Sequence, residues 1–321
     1  MDFQSIYIQY GPQLLQVENK LHKSVAVKDE RLTASAIQLV EAGGKRIRPL
    51  FALICGRLGN ANPHDVESIA CALELVHMAT LVHDDVIDDA VLRRGKPTVR
   101  SEYGNLAAMY TGDFLFARAI GILSGIHNPY IHNEISKAMV RMCEGEIEQI
   151  RDFYNWNQTF RTYLRRIERK TALLISVSCS LGAMAGNADF PVVHALRRFG
   201  YFTGMAFQII DDVLDFAGTQ DVVGKPVGND LRQGNLTLPT LLAAKDGVYA
   251  AEMRQLVTEQ MDESSAMRAI EIVQKSGALK EARRIAFSYL NKARLQLESL
   301  PVGQIRDELI IVAEFVNQRM F

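Results

Sequence analysis

Neither sign of charge is in excess in this chain: 36 Lys and Arg stand against 37 Asp and Glu, a net charge of −1. Such balance argues against a general nucleic-acid binder or a polybasic membrane surface. Cysteine is scarce. The four residues, Cys55, Cys71, Cys143 and Cys179, form no C-x-x-C pair and sit mostly on apolar stretches. They read as buried free thiols of a reducing cytosol. The opening MDFQSIYIQY lacks a basic segment followed by an uninterrupted apolar run, so no signal peptide is expected. The longest weakly polar run, Leu173 to Gly186, is too short and too rich in Ser and Gly to span a bilayer. A cytoplasmic protein without a transmembrane segment is the expectation.

Strand-like alternation is nearly absent too, while helical periodicity runs throughout. Helices are expected at about 5–25, 31–41, 48–58, 64–89, 105–124, 130–153, 159–185, 191–217, 237–245, 249–260, 264–276, 280–299 and 304–317. Breaks fall at Gly43-Gly44, Asn60 to Pro63, Gly95 to Pro97, Asn128-Pro129 and Gly224 to Gly234. None has the length of a domain linker, and 48% hydrophobic residues suffice for a large core. The chain is therefore expected to be all-α, a single domain over 1–321. The longest connection, Gly218 to Asn235, carries Gly, Lys, Asp and Arg, as a phosphate-covering segment would.

What the chain does have is two copies of Asp-Asp-x-x-Asp: Asp84, Asp85 and Asp88, then Asp211, Asp212 and Asp215. Residues four apart share one face of a helix. Like charges so spaced among apolar neighbours repel unless a multivalent cation lies between them. Neither copy has a Cys or His-x-x-x-His partner, so the oxygen ligands suit Mg²⁺, which keeps waters and binds one or two carboxylates together with phosphates. Cations trail both copies: Arg93 and Arg94 after the first, Lys225 and Arg232 after the second. Carboxylate and cation in alternation suit a metal-bound diphosphate.

Other groups point the same way. Gly43-Gly44 precedes Lys45 and Arg48, a flexible turn that lets cations approach an anion. His77 lies seven residues before Asp84, with Glu74 three residues before it, so the three share a face. Lys170 and Thr171 interrupt an apolar stretch; a buried Lys needs an anionic or carbonyl partner. Gln208, three residues before Asp211, projects from the second acidic face, either toward a ligand or into local core hydrogen bonds.

Taken in order, GGKRIRP, HDDVIDDAVLRRGKPT, Lys170-Thr171, FQIIDDVLDF and GKPVGND resemble the trans-isoprenyl diphosphate synthases over nearly the whole chain. MYTGDFLFAR, CEGEIEQI, TYLRRIERKTALLI and GNLTLP are similar to the large catalytic subunit, component II, of two-component heptaprenyl diphosphate synthases of menaquinone-making bacteria. One departure is that Asn235 stands where the wider family commonly has Lys, a position at which the two-component enzymes resemble this chain in having Asn. The resemblance implies a bundle of about a dozen helices around a central cavity. It implies that the six aspartates bind Mg²⁺, three ions bridging an allylic diphosphate, with Arg93, Lys170 and Lys225 gripping that group. Lys45, Arg48, His77 and Arg94 would hold isopentenyl diphosphate, and Thr171 and Gln208 would stabilise the allylic cation. A small regulatory subunit, a homodimer, or both would be the protein partners.

The implied reaction is ionisation, condensation and proton loss, with the released diphosphate as base. Thr80 and Ala79 stand four and five residues before Asp84, where short-chain members typically place aromatic rings, so a long product is expected. From Asp84 back to Cys71 is about 20 Å of helix, lined in part by Val76, Ala72 and Cys71. The alternatives are a self-sufficient homodimer making a hexaprenyl or other-length product, a cyclase, and a non-catalytic regulatory subunit. A cyclase would not need the isopentenyl set, and a regulatory subunit would be expected to lose one acidic motif.

Overall fold

Five of the helix starts are set by short polar side chains. Asp2, Asp29, Thr98, Thr159 and Asp262 each accept a hydrogen bond from a backbone N–H three residues on, satisfying a donor the helix leaves open. The computed structural model describes residues 2–60, 63–93, 95–217, 227–245 and 247–318. Its helices are α1 (Phe3–Gln9), α2 (Gly11–Val25), α3 (Glu30–Glu41), α4 (Ile47–Gly56), α5 (Pro63–Ile87), α6 (Val99–Tyr103), α7 (Asn105–Leu123), α8 (Pro129–Arg151) and α9 (Phe160–Ile167). There follow α10 (Leu173–Ala185), α11 (Phe190–Ala217), α12 (Asn229–Arg232), α13 (Leu238–Lys245), α14 (Ala250–Leu256), α15 (Glu263–Lys275), α16 (Ala278–Leu297) and α17 (Gln304–Gln318). Among the described residues the only strands are β1 (Leu92–Arg93) and β2 (Lys96–Pro97), an antiparallel pair. The fold is all-α.

Three details depart from the periodicity. The helix expected over 5–25 breaks at Tyr10, because Pro12 in the first turn of α2 cannot donate to the preceding turn. The one expected over 159–185 is interrupted by a π turn, Glu168–Ala172, between α9 and α10. The short helix α6, capped by Thr98, and the β1–β2 hairpin escape periodicity because each is only a few residues long.

Two compact units divide the chain. The first comprises 1–136, 174–197 and 299–311; the second comprises 137–173, 198–298 and 312–321. In the first, α5 packs on α2, α4 and α7 and buries fourteen of its residues, among them Ile69, Leu73, Val76 and Val82. α4 meets α10 through small residues: a Cβ on Gly182 would lie 2.3 Å from the Ala52 carbonyl oxygen. In the second, Phe216, Leu236, Met253 and Val273 form one apolar cluster, and Tyr163, Ile209, Val213 and Leu238 another.

Among the described residues two helices have the length and hydropathy to cross a bilayer, α5 and α7, with mean hydropathies of 1.3 and 1.4. The run Leu173 to Gly186 forms α10, which at 13 residues is shorter than either. In α5 most of that apolar stretch is covered by neighbouring helices, the burial of a core helix. α7 leaves Leu106, Met109, Tyr110 and Ile120 exposed. Of the cysteines, Cys55, Cys71 and Cys179 are buried, but Cys143 is exposed, against expectation, because it lies on the outward face of the amphipathic α8.

Candidate active site

The first acidic motif closes α5, and its three carboxylates are not equivalent. Asp84 and Asp88 are half-buried, and the Asp88 N–H still donates to the Asp84 carbonyl, so the helical turn that aligns them persists past Ile87. Asp85 points inward and is 2% exposed. The Arg93 guanidinium, presented by the hairpin, donates to it through Nε at 2.9 and 3.1 Å and ion-pairs through Nη2 at 2.7 Å. Arg93 is thereby tied to the motif it follows. Arg94 lies outside the described residues.

His77 is half-buried on α5, while Glu74, on the same face, is buried and engaged by Arg46 at 2.8 Å. Lys45 is exposed and Arg48 half-buried at the start of α4. His83 turns to α7, with Nε2 3.2 Å from the Met109 carbonyl and 3.6 Å from the Asp113 carboxylate. Gly112 makes room for that ring. Ala79, Val76, Ala72 and Cys71 are fully packed in the first unit, and Thr80, half-buried, donates to the His77 carbonyl.

The second motif lies within α11 and repeats the inequality. Asp211 is exposed, whereas Asp212 is 2% exposed. Asp212 accepts from the Tyr163 hydroxyl at 2.7 Å and from Gln208 Nε2 at 2.8 Å. Gln208 Oε1 in turn accepts from the Thr171 hydroxyl, so Thr171, Gln208, Asp212 and Tyr163 form one chain of hydrogen bonds. Of the two sequence readings of Gln208, the geometry shows the local one: its amide is hydrogen-bonded to Thr171 and to the buried Asp212. Asp215 accepts the backbone N–H groups of Asn229 and Asp230 at 3.1 and 3.2 Å, which fixes the start of α12 beside the motif.

Burial, and then the neighbouring Asp230 charge, push the Asp212 carboxyl up to about 7. The same two causes push Asp215 up to about 8. Carboxylates held at such cost favour a cation beside them. Among the described residues no three His, Cys, Asp or Glu side chains converge enough to enclose an ion. Each motif instead offers few carboxylates, a donor set that fits Mg²⁺ completed by water and phosphate oxygens.

Lys170, in the π turn, lies 3.3 Å from Glu146 of α8. Single π turns recur at functional sites because they re-aim side chains. Arg232 is engaged by Glu263 at 2.9 Å, at the start of α15, and by the Val227 carbonyl. Lys225 lies outside the described residues, as does half of the expected phosphate-covering segment, 218–226. Asn235 is half-buried, its N–H on the Asp230 carbonyl and its Oδ1 buried without a hydrogen-bond partner.

Sequence reasoning did not single out Arg46, Glu146, Tyr163 or Asp230. Each stands inside a motif quoted above, but each acts through a partner well separated along the chain: Glu74, Lys170, Asp212 and Asp215 respectively. A groove of about 770 Å³ on α8, lined by Met139, Val140, Cys143, Ile147 and Arg169, includes none of the expected site residues.

An all-helical chain with two acidic helix faces, each backed by buried hydrogen-bonded partners, is suited to holding metal-bound phosphate. The Polyprenyl synthetase family model matches residues 29–273, and the chain belongs to that family, whose members are chain-elongating trans-prenyltransferases. It is 44% identical over 321 residues to heptaprenyl diphosphate synthase component 2 of Bacillus subtilis (strain 168), covering 100% of this chain and 92% of that one. The protein of the same description from Geobacillus stearothermophilus is 44% identical over 99% of each chain. Among solved structures, heptaprenyl diphosphate synthase from Staphylococcus aureus superposes with a TM-score of 0.93 at 38% identity, covering 97% of this chain and 98% of that one. A polyprenyl synthase from Caulobacter crescentus CB15, complexed with calcium and isoprenyl diphosphate, gives 0.93 at 32% identity over 98% and 97%.

Proposed function

We propose that this prenyltransferase is the catalytic component of a two-component heptaprenyl diphosphate synthase, condensing isopentenyl diphosphate with an allylic diphosphate of farnesyl length or longer. The observation that carries the reading is the 44% identity to two component 2 proteins over essentially the full chain. The same full-length match supports 1–321 acting as a single domain.

Asp84, Asp88 and Asp211, supported by Asp85, Asp212 and Asp215, are the proposed ligands of three Mg²⁺ ions. When bound, the ions neutralise the charge that builds on the departing diphosphate. Arg93, Lys170 and Lys225 are assigned to the allylic diphosphate, and Lys45, Arg48, His77 and Arg94 to isopentenyl diphosphate. The carbonyl of Gln208 and the hydroxyl of Thr171, linked by a hydrogen bond, are assigned to the allylic cation. No nucleophilic side chain is needed, since the double bond of isopentenyl diphosphate attacks and the released diphosphate takes the proton. Small side chains at Ala79 and Thr80 support a long product. Asn235 in place of a cation, together with the relatives' designation as component 2, supports dependence on a small partner subunit.

The test is incorporation of radiolabelled isopentenyl diphosphate with farnesyl diphosphate and Mg²⁺, by the chain alone and with a candidate small subunit, followed by sizing of the product. A C35 product formed only with the partner is expected. Robust elongation by the chain alone would replace this reading with a self-sufficient homodimer. No incorporation in either arm would overturn it.

A further inference from the structure

Three cations stand at the entry to α4, Lys45 and Arg46 before it and Arg48 in its first turn, and the structure treats the middle one differently. Arg46 is 6% exposed, whereas Lys45 beside it is exposed. Its guanidinium donates through Nη1 to Glu74 at 2.8 Å, through Nη2 to the Val40 carbonyl at 2.9 Å, and through Nε and Nη2 to the two carboxylate oxygens of Glu18. Three helices therefore converge on one side chain: α2 through Glu18, the end of α3 through Val40, and α5 through Glu74. With every nitrogen engaged by protein, Arg46 has no fork left for a substrate phosphate.

The backbone is equally unusual. Arg46 adopts a left-handed conformation, φ 44° and ψ 40°, at the position preceding α4, and Gly43 and Gly44 also have positive φ, 68° and 157°. Glycine accepts such angles freely, but a side-chain-bearing residue does so at a cost unless its surroundings hold it. The buried ion pairs do the holding. The turn they enforce separates Lys45, on the exposed side, from Arg48, the second residue of α4. It also links the loop to Glu74, three residues before His77 on α5.

We propose that Arg46, clamped by Glu74 and Glu18, is a positioning residue that sets Lys45 and Arg48 in register with His77, and so determines affinity for the isopentenyl diphosphate. This rests on the assignment of those three residues to that substrate. Lysine would keep the charge but not the fork that spans two carboxylates and a carbonyl.

The experiment compares wild type with Arg46→Lys, Glu74→Gln and the milder Glu18→Gln, whose carboxylate is partly exposed. Three quantities are read: KM for isopentenyl diphosphate, KM for farnesyl diphosphate, and hydrogen exchange of the backbone amides of residues 43–48. The expected result is a rise of about tenfold to a hundredfold in the isopentenyl diphosphate KM for Arg46→Lys and Glu74→Gln, as small misplacements of binding groups produce. The farnesyl diphosphate KM should stay within about twofold, with faster exchange in the loop and a smaller effect in Glu18→Gln. Equal rises in both KM values would mean general destabilisation and overturn the proposal. Unchanged isopentenyl diphosphate KM with unchanged exchange would overturn it as well. A wild type that turns over neither substrate would overturn the synthase reading instead; the clamp itself would still be judged by exchange, unchanged protection in Glu74→Gln counting against it.

Discussion

Each acidic motif divides labour between an outward and an inward aspartate. Asp84 and Asp211 remain within reach of solvent, while Asp85 and Asp212 are spent on Arg93, Tyr163 and Gln208. Substituting the outward members should therefore remove ligand contacts and leave packing intact. Asp84→Asn and Asp211→Asn are each expected to lower kcat by about 10²–10³-fold, the scale of losing a preorganised charge at the reacting group. Thermal midpoints should stay close to wild type; a large fall in midpoint would show that these carboxylates are structural instead. Cys71 is a different kind of buried residue. Burial pushes its thiol up to about 12, whereas in the unfolded chain it ionises at about 8.5. Above that pH the unfolded state loses the proton first, so the contribution of Cys71 to stability is intact below about pH 8.5 and declines as pH rises toward the folded value. Denaturant titrations at pH 7.5 and 10 should show wild type losing more stability over that interval than Cys71→Ala, and equal losses would count against the shift.

At the scale of elements, helix contacts here depend on where side chains are missing. α4 and α10 approach so closely that a methyl group on Gly182 would collide with the Ala52 backbone, and backbone cannot step aside as a flexible side chain can. Gly182→Ala is expected to destabilise by about 1–3 kcal/mol through overpacking. On α7, Gly121 faces open space, and Gly121→Ala should stabilise by up to about 1 kcal/mol through helix propensity. Thermal unfolding of the two variants should move in opposite directions, and a shared direction would contradict the packing described. Elements also explain why the second motif is fixed so firmly. Asp215 caps α12 through two backbone N–H groups, and burial first, then the charge of Asp230 on that helix, raises Asp212 and Asp215. The local start of α12 and the electrostatics of the motif are one arrangement.

For the molecule as a whole, the all-helical class, the positions of the long helices and both acidic motifs were legible from period and spacing, because those signals are local. The Tyr10 break and the π turn at 168–172 were not, since a few residues shift no long-range period. The exposure of Cys143 and of the α7 face was also hidden, as an apolar helix reads alike whether or not neighbours cover it. Within the site, residue types and spacing pointed to the six aspartates, Lys170, Thr171 and Gln208. They could not say that Thr171, Gln208, Asp212 and Tyr163 form one chain of hydrogen bonds, nor that Arg46 is held by Glu18 and Glu74, 28 residues away on either side. Sequence determined the fold class and the chemistry on offer, because helix period and carboxylate spacing act over single turns. Tertiary structure alone decided which of those charged groups face solvent and which are consumed in holding the others, because burial and ion pairing are set by residues distant along the chain.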